Sequence, residues 1–163
     1  MNTLSIFDFT KNADISKWRI QNDTVMGGKS SATFNLNDDG RALFKGKVSL
    51  KNNGGFSQVI YDCDKISTKD VSKICVRLKG DAKDYQLRIR ANDNDRQSYV
   101  KNFSTTGEWE IVTVALKNME PTYRGRDLDM PNFNAYYFEE LAFFIGNKKE
   151  ERFELLIDKI YLE

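Results

Sequence analysis

The chain contains 163 residues, with 25 lysines and arginines, 24 aspartates and glutamates and no histidine, which gives a formal net charge of +1. The lack of imidazole excludes Ser-His-Asp and Cys-His catalytic sites, histidine-ligated zinc or iron, and histidine acid/base chemistry. The balanced charge argues against a general nucleic-acid binder. A chain of this length is expected to form one domain over residues 1–163.

The cysteines, Cys63 and Cys75, have no CxxC spacing and no histidine nearby, so no metal site is expected there. A disulfide between them is one alternative, and two free, mostly buried thiols in a reducing compartment is the favoured one. The N-terminal segment lacks the basic and apolar regions of a signal peptide, and no apolar run reaches the ~18 residues of a membrane span. We therefore expect a soluble cytoplasmic protein that needs no cofactor, unless a leader has been removed.

Short runs of alternating polar and apolar residues recur along the chain, and turn-forming residues separate them. The pattern predicts about ten strands. They are Ser5–Phe9, Ser31–Leu36, Arg41–Leu50, Phe56–Asp62, Lys73–Lys79, Tyr85–Ala91, Ser98–Phe103, Trp109–Ala115, Glu140–Ile145 and Phe153–Leu162. The expected fold is an all-β sandwich. The helical candidates are short: Asp14–Lys17, a single turn near Thr68–Val71, and Asn134–Phe138.

Two glycine pairs lie in segments rich in polar side chains, one between Trp18 and Ser31 and one between Asn52 and Gln58. The first segment could cradle a phosphate, but it lacks both nucleotide-binding glycine motifs and a following helix. The alternative is a self-bonded loop that closes one end of the sandwich, with Trp18 as its apolar anchor. The candidate binding residues in these segments are Asn22, Asp23, Met26, Gly27, Gly28, Ser30, Asn53, Gly54, Gly55 and Phe56.

Arginines recur on the non-core face of two consecutive predicted strands, Lys73–Lys79 and Tyr85–Ala91. If these strands pair, their arginines form a basic strip suited to a carboxylate, sugar or phosphate. The alternative is a solvated face with acidic partners on neighbouring strands. The candidate residues of the strip and its aromatic surroundings are Arg77, Arg88, Arg90, Gln86, Tyr99 and Tyr123.

The segment from Lys117 to Tyr137 holds both prolines and shows no strand pattern. Long connections of this kind are usually functional or ordered by their own contacts. Arg124 and Arg126 flank a glycine in it, and they could fork onto a carboxylate or phosphate. Alternatively, each guanidinium ties the loop to the body of the protein.

Two acidic features complete the survey of candidate sites. Asp158 interrupts the alternation of the last predicted strand, where it could cap a backbone amide or, less readily, contribute to a structural calcium site. Paired carboxylates such as Asp23 and Asp81 could perform glycosidic acid/base chemistry without histidine. Nothing in the sequence brings those two carboxylates together.

Seven blocks of residues, in order along the chain, resemble the complex I intermediate-associated protein 30 family. The blocks are Asn22 to Ser30 (N-D-T-V-M-G-G-K-S), Phe44 to Gly46, Asn53 to Phe56 (N-G-G-F), Leu78 to Asp81 with Tyr85, Trp109 with Val112 and Val114, Arg124 to Arg126, and Phe153 to Ile160. The resemblance implies a jelly-roll sandwich of the galactose-binding-like type, the architecture of many carbohydrate-binding modules. Mitochondrial relatives are assembly factors for the respiratory NADH:ubiquinone oxidoreductase, and the bare domain is similar to small bacterial members.

The family has no catalytic signature, so the resemblance implies a non-catalytic binding or assembly module. We expect it to hold a protein partner through its glycine-rich and Arg-Gly-Arg loops, because a rigid sandwich displays recognition residues in its loops. The alternative is a carbohydrate or small-anion binding module that uses the arginine-rich sheet face. Neither nucleic acid nor an integral membrane segment is expected.

Overall fold

A computed structural model describes residues 3–163, and thirteen strands account for most of it. The strands are β1 (Leu4–Asp8), β2 (Trp18–Asn22), β3 (Ser31–Leu36), β4 (Ala42–Val48), β5 (Ser57–Ser67), β6 (Lys73–Lys79), β7 (Asp84–Arg90), β8 (Ser98–Ser104), β9 (Trp109–Ala115), β10 (Glu120–Tyr123), β11 (Arg126–Asp127), β12 (Tyr137–Ile145) and β13 (Glu151–Leu162). Short 3₁₀ helices cover Asp23–Met26, Lys51–Asn53 and Leu116–Asn118. The all-β prediction is confirmed.

The strands form two antiparallel sheets. Sheet I has six strands, in the order β3-β4-β13-β6-β9 with β1 also paired to β13. Sheet II has seven strands, in the order β11-β10-β8-β7-β12-β5-β2. Most neighbours in each sheet are distant in sequence, as in a jelly-roll sandwich.

The hydrophobic core lies between the two sheets. Alternate residues of β7, such as Leu87 and Ile89, point inward from sheet II, and Leu155 and Ile157 of β13 point inward from sheet I. All four are at most 1% exposed. Because successive residues of a strand point to opposite faces, the remaining residues of these strands form the outer faces of the sandwich.

Trp18 closes one end of the core, as the loop interpretation of its segment expects. Its ring stacks on Tyr61 at a centroid distance of 4.7 Å and on Phe34 at 5.0 Å. Phe7 and Phe9 of the first strand region complete the cluster at 5.6 and 5.3 Å from Trp18. Trp18 is only 7% exposed and therefore offers no surface for ligand stacking.

Several sequence-based element assignments are wrong at short segments. Strands β2, β10 and β11 were not predicted, and the last two lie within the segment expected to lack strands. Asp14–Lys17 is not helical and ends in a turn, and Asn134–Phe138 is non-helical, with Tyr137 and Phe138 already paired to β5. The turn expected near Thr68–Val71 is present. Four or five residues cannot offset the cost of helix nucleation without strong tertiary support.

The two arginine-bearing strands do not pair, so the basic strip that depended on their pairing does not form, and Arg77 and Arg90 have the acidic partners of the alternative interpretation. Strand β6 lies in sheet I and β7 lies in sheet II, although they are consecutive along the chain. Both strands turn their apolar residues toward the shared core, so their arginines point away from each other. Arg77 therefore lies on the opposite side of the sandwich from Arg88 and Arg90.

Asp158 has a different role from both of those considered. Its Oδ1 atom lies 2.8 Å from Nε of Arg41, and its Oδ2 atom accepts a hydrogen bond from Nη1 of Arg77 at 3.0 Å. It therefore forms ion pairs on the outer face of sheet I. Within residues 3–163, no group of three or more acidic or cysteine side chains could hold a metal ion.

The two cysteines are free and buried, in agreement with the favoured interpretation. Burial raises the pKa of Cys63 to about 12, so its thiol is poorly reactive near neutral pH. In the part of the chain that the structure describes, no helix has the length and apolar character needed to cross a membrane.

Candidate binding surface

Asp23 joins the two glycine-rich segments at one end of the sandwich. Its Oδ1 accepts a hydrogen bond from the backbone N–H of Ser30 at 3.0 Å. Its Oδ2 accepts three, from the Ser30 hydroxyl at 2.6 Å and from the backbone N–H groups of Gly55 at 2.6 Å and Phe56 at 3.3 Å. We call this arrangement the Asp23 junction. The carboxylate is fully buried, and the two loops meet on it.

Glycine is required around the junction for steric reasons. A Cβ atom built on Gly28 would overlap the carboxyl carbon of Asp23, and one built on Gly54 would overlap its Oδ2 atom. Gly54 has φ of −75°, a conformation open to any residue. The close approach of Asp23, and not the backbone conformation, therefore excludes larger side chains at position 54.

Hydrogen bonding also changes the acidity of Asp23. Burial alone would raise the pKa of this carboxyl group, but the hydrogen bonds from Ser30, Gly55 and Phe56 outweigh burial and hold the pKa below its usual value. The carboxylate is therefore charged at neutral pH. Its hydrogen bonds come from Ser30, Gly55 and Phe56 of the same chain.

The other candidates in these segments surround the junction. Asn22 donates to the Ser30 carbonyl at 3.3 Å and accepts a hydrogen bond from the Ser57 hydroxyl. Gly27 has φ of 89°, and its carbonyl accepts a hydrogen bond from Asn52 at 3.1 Å. Asn53 is exposed with φ of 61°. The side chain of Met26 lies outside the described part of the structure. Asn22, Asp23 and Ser30 thus hold the loops together, which favours a structural role for these three.

Phe56 connects the junction to the outer face of sheet II. Its ring stacks on Phe144 with a centroid distance of 5.3 Å and an interplanar angle of 17°. The guanidinium of Arg88 lies 4.7 Å from the centroid of the same Phe144 ring. The Asp23 junction therefore fixes the backbone of Phe56. The Phe56 ring in turn packs against Phe144, the ring that Arg88 contacts.

The register of sheet II places three rows of side chains on its outer face, which we call the platform. The acidic row crosses strands β7, β12 and β5, and the central row and the amide row cross β8, β7, β12, β5 and β2. Their members are Arg90, Glu140 and Asp62 in the acidic row, Val100, Arg88, Ala142, Ile60 and Arg19 in the central row, and Asn102, Gln86, Phe144, Gln58 and Gln21 in the amide row.

Ion pairs neutralise the acidic row. Arg90 donates to Oε1 of Glu140 at 2.7 Å. Arg19 reaches from the central row to form a bidentate contact with Asp62, at 2.7 and 3.3 Å, and its Nη2 lies 3.6 Å from Oε1 of Glu140. Both carboxylates of this row thus have arginine partners.

Arg88 lies at the centre of the platform and differs from the other two arginines. Within residues 3–163, its guanidinium has neither a hydrogen-bond partner nor an ion pair within 4.0 Å; its recorded contact is the Phe144 ring. Burial lowers the pKa of Arg88, opposed by the attraction of Glu140. The group nevertheless stays charged, because arginine does not lose its proton in proteins near neutral pH.

The amide row borders a shallow hollow of about 290 Å³, whose lining includes Gln86, Asn102 and Phe144. Among the described residues, Gln58, Gln86 and Asn102 form no side-chain hydrogen bond with the protein. Their donors and acceptors remain open to a ligand. The platform thus combines planar amides, one aromatic ring and one unpaired cation.

The Arg-Gly-Arg unit forms the tip of a hairpin between β10 and β11. Tyr123 pairs with Arg126, and the intervening Arg124 and Gly125 have φ of 50° and 76°, as a tight two-residue turn requires. Arg124 lies over the Tyr123 ring at 5.3 Å. Both arginines are exposed, and neither forms an ion pair within the described residues. They do not tie the hairpin to the body.

Two further candidates are placed away from these surfaces. Tyr99 is buried on the inner face of sheet II and packs against Phe133 at 5.3 Å, so it cannot line the platform as predicted. Asp81 accepts hydrogen bonds from the Tyr85 hydroxyl at 2.9 Å and the Glu154 N–H at 2.8 Å. It shares no partner with Asp23, so the structure provides no paired-carboxylate site from these two residues.

The sequence indicated three residues of the platform, Arg88, Arg90 and Gln86, but not the others. Phe144 lies in β12, whose nearly continuous apolar sequence conceals which residues face outward, because the strand is central in its sheet. Gln21 and Arg19 were missed because β2 was not predicted. Because successive residues of a strand point to opposite faces, a strand that starts at Trp18 would have placed Arg19 and Gln21 together on the face opposite to Trp18.

A comparison with family models matches residues 7–157 to the family described as complex I intermediate-associated protein 30. The match covers nearly the whole chain, and the chain belongs to this family. The resemblance inferred from the sequence blocks is therefore confirmed. The comparison with curated proteins gives no match.

Solved structures of carbohydrate-binding modules have the same fold. The family 11 module of the cellulosomal cellulase Lic26A-Cel5E from Clostridium thermocellum is 14% identical, with a TM-score of 0.70 over 99% of this chain and 94% of that one. The Clostridium thermocellum family 11 module in complex with a β-1,3-1,4-mixed-linked tetrasaccharide is also 14% identical, with a TM-score of 0.69 over 98% and 94% of the two chains. The agarase AgWH50C is 14% identical and has a TM-score of 0.67 over all of this chain but only 24% of its own length. At this identity the likeness establishes the jelly-roll fold alone.

Proposed function

We propose that this family member is a non-catalytic binding module whose recognition surface is the platform of sheet II, and that its ligand is a carbohydrate. The observation that carries the proposal is the unpaired guanidinium of Arg88, held on Phe144 among side-chain amides that have no partner in the described protein. Donors and acceptors held at a surface without internal partners are available to the hydroxyl groups of a sugar.

The chemistry of the platform favours a sugar over a protein partner at this position. Protein interfaces concentrate their binding energy in aromatic and aliphatic anchors that fill pockets. The platform instead offers Phe144, partly buried by Phe56, amid glutamine and asparagine side chains. The fold supports the proposal because carbohydrate-binding modules are built on the same sandwich.

A non-catalytic role also agrees with the side chains. The chain has no histidine, and its buried carboxylate Asp23 is occupied by hydrogen bonds from its own loops. We expect the module to act in the cytoplasm, and its two free, buried thiols suit a reducing compartment.

A glycan array tests the carbohydrate proposal. We expect the intact protein to bind a subset of immobilised glycans, and the double variant Gln58→Ala/Gln86→Ala to lose that binding. The matched control is Gln97→Ala, which removes a glutamine side chain outside the platform. An array without any bound glycan, or binding that survives the platform variant, would contradict the proposal.

A second candidate is a protein partner held by the Arg-Gly-Arg hairpin, as the family name and the sequence analysis suggest. The observation that favours it is the exposed hairpin tip, where Arg124 and Arg126 have no acidic partner in the described chain. Exposed arginines on a rigid turn can form bidentate contacts with carboxylates of a partner.

Affinity capture from a native lysate tests the second candidate. A specific partner should be retained by the wild-type chain and by Lys69→Ala/Lys73→Ala, which removes the same charge from another exposed site. It should be lost from Arg124→Ala/Arg126→Ala. Recovery of the same proteins by all three chains would count against the hairpin as a docking site.

A further inference from the structure

Charge on the platform is not balanced. Its three rows contain the guanidiniums of Arg19, Arg88 and Arg90 but only the carboxylates of Asp62 and Glu140. Arg19 and Arg90 are paired with these two carboxylates at 2.7 Å each. Arg88 is therefore the one guanidinium of these rows without a carboxylate within ion-pair distance in the described chain; the nearest acid along its own row, Glu120, lies beyond Val100.

The surroundings of Arg88 do not supply the missing anion. Its direct cross-strand neighbours are Val100 and Ala142, and Ile60 follows in the same row. Arg88 is half-buried among these apolar neighbours, and none of its nitrogen atoms is both buried and unpartnered in the described chain, so its guanidinium is open to a bound anion. Glu140 attracts Arg88 from a distance, but its Oε1 atom already contacts Arg90 and Arg19.

Resting on the proposed carbohydrate function, we propose that the ligand is an acidic glycan and that Arg88 determines this specificity by pairing with a uronate carboxylate. The guanidinium is held on the Phe144 ring, so little side-chain freedom remains to be lost when the carboxylate binds. A planar fork facing a planar carboxylate also permits two parallel hydrogen bonds. The adjacent amide row is left to bind hydroxyl groups of the same sugar or its neighbours.

One sugar unit could contact Arg88 through its carboxylate and the amide row through its hydroxyl groups. Gln86 is two residues from Arg88 on the same strand face, and Asn102 is directly opposite Gln86 on β8. A spacing of two residues along a strand is about 7 Å. That distance is comparable to the separation between the carboxylate and the distant hydroxyls of a pyranose ring, so one sugar unit can contact the central row and the amide row together.

Calorimetric titration with matched oligosaccharides tests the inference. Tetragalacturonate and its fully methyl-esterified form have the same sugar rings and differ in charge. We expect the acid to bind at least about tenfold more tightly than the ester, since one hydrogen-bonded ion pair in a partly desolvated site has that effect. The variant Arg88→Met should remove the preference, and the control Arg152→Met, at an exposed arginine of β13 in sheet I, should retain it.

The outcomes separate this inference from the proposed function. Equal affinity for acid and ester, or a preference that persists in Arg88→Met, would overturn the acidic specificity. If the glycan array shows binding only to neutral glycans, the proposed specificity for acidic glycans is wrong, but the proposed carbohydrate function stands. If the array shows no bound glycan, the carbohydrate function fails, and the acidic specificity fails with it.

Discussion

The backbone N–H of Gly55 donates to Oδ2 of Asp23 at 2.6 Å, across a sequence separation of 32 residues. This contact joins the two glycine-rich segments, which are far apart in the sequence. The next residue after Gly55 is Phe56, whose ring packs on Phe144 beneath the edge of the platform. The glycine segments therefore build the end of the sandwich and hold Phe56 against Phe144, an aromatic side chain of the platform.

Replacing Asp23 by alanine should destabilise the protein strongly. Four hydrogen bonds to a buried carboxylate are lost, and the N–H groups of Ser30, Gly55 and Phe56 lose their acceptor. We expect the free energy of unfolding to fall by at least about 3 kcal/mol. Urea denaturation monitored by tryptophan fluorescence measures the change. Asp38→Ala, at an exposed turn, is the control and should change stability by less than about 0.5 kcal/mol.

The contribution of Asp23 should also depend on pH. Its pKa is lower in the folded state than in the unfolded chain, where an aspartate titrates near about 3.9. The stabilisation is therefore complete above that unfolded value and is lost as the pH falls through the lower folded pKa. The difference in unfolding free energy between wild type and Asp23→Asn should be constant from pH 5 to 7 and shrink in more acidic solution. A difference that grows on acidification would contradict the junction as described.

Gly54→Ala should destabilise the protein mainly through Asp23, which a new Cβ would approach more closely than it approaches the Lys51 carbonyl. The added Cβ would overlap Oδ2 of Asp23, although φ of −75° is acceptable for alanine. We expect a loss of about 1–3 kcal/mol, as for other overpacked sites. In the Asp23→Ala background the obstructing carboxylate is gone, so the same substitution should cost much less. A double-mutant cycle measures this coupling, and additive effects would show that Asp23 is not the cause.

The sequence could predict the sandwich because the alternation of polar and apolar residues within each strand is a local pattern. Alternation marked β6, β7 and β13, and the inward residues of these strands form the core as expected. Which strands share a sheet depends on long-range packing, so the separation of Arg77 from Arg88 was not predictable from alternation. The sequence also could not predict that Asp23 accepts the hydrogen bond from the Gly55 N–H. Strands β3 and β4 lie between these two residues along the chain.

Arg88→Met should preserve or raise the stability of the free protein. The substitution removes a charged group that has no ion pair within the described residues, and methionine can keep the contact with Phe144. Function and stability are commonly opposed at binding sites of this kind. Thermal unfolding without ligand measures the effect, with Arg77→Met as a contrast because it breaks the ion pair with Asp158 at 3.0 Å. A clear loss of stability in Arg88→Met alone would indicate that the guanidinium has a structural role.

The outer face of sheet II is the recognition surface that we propose for this chain. The most direct test is a ¹H–¹⁵N NMR titration of the intact protein with tetragalacturonate and with the β-1,3-1,4-mixed-linked tetrasaccharide. We predict that the amide signals which shift belong to β7, β12 and β5 around Arg88, Phe144 and Gln58, with at least one of the two sugars. Shifts confined to the hairpin at Arg124 or to sheet I, or no shift with either sugar, would contradict the claim.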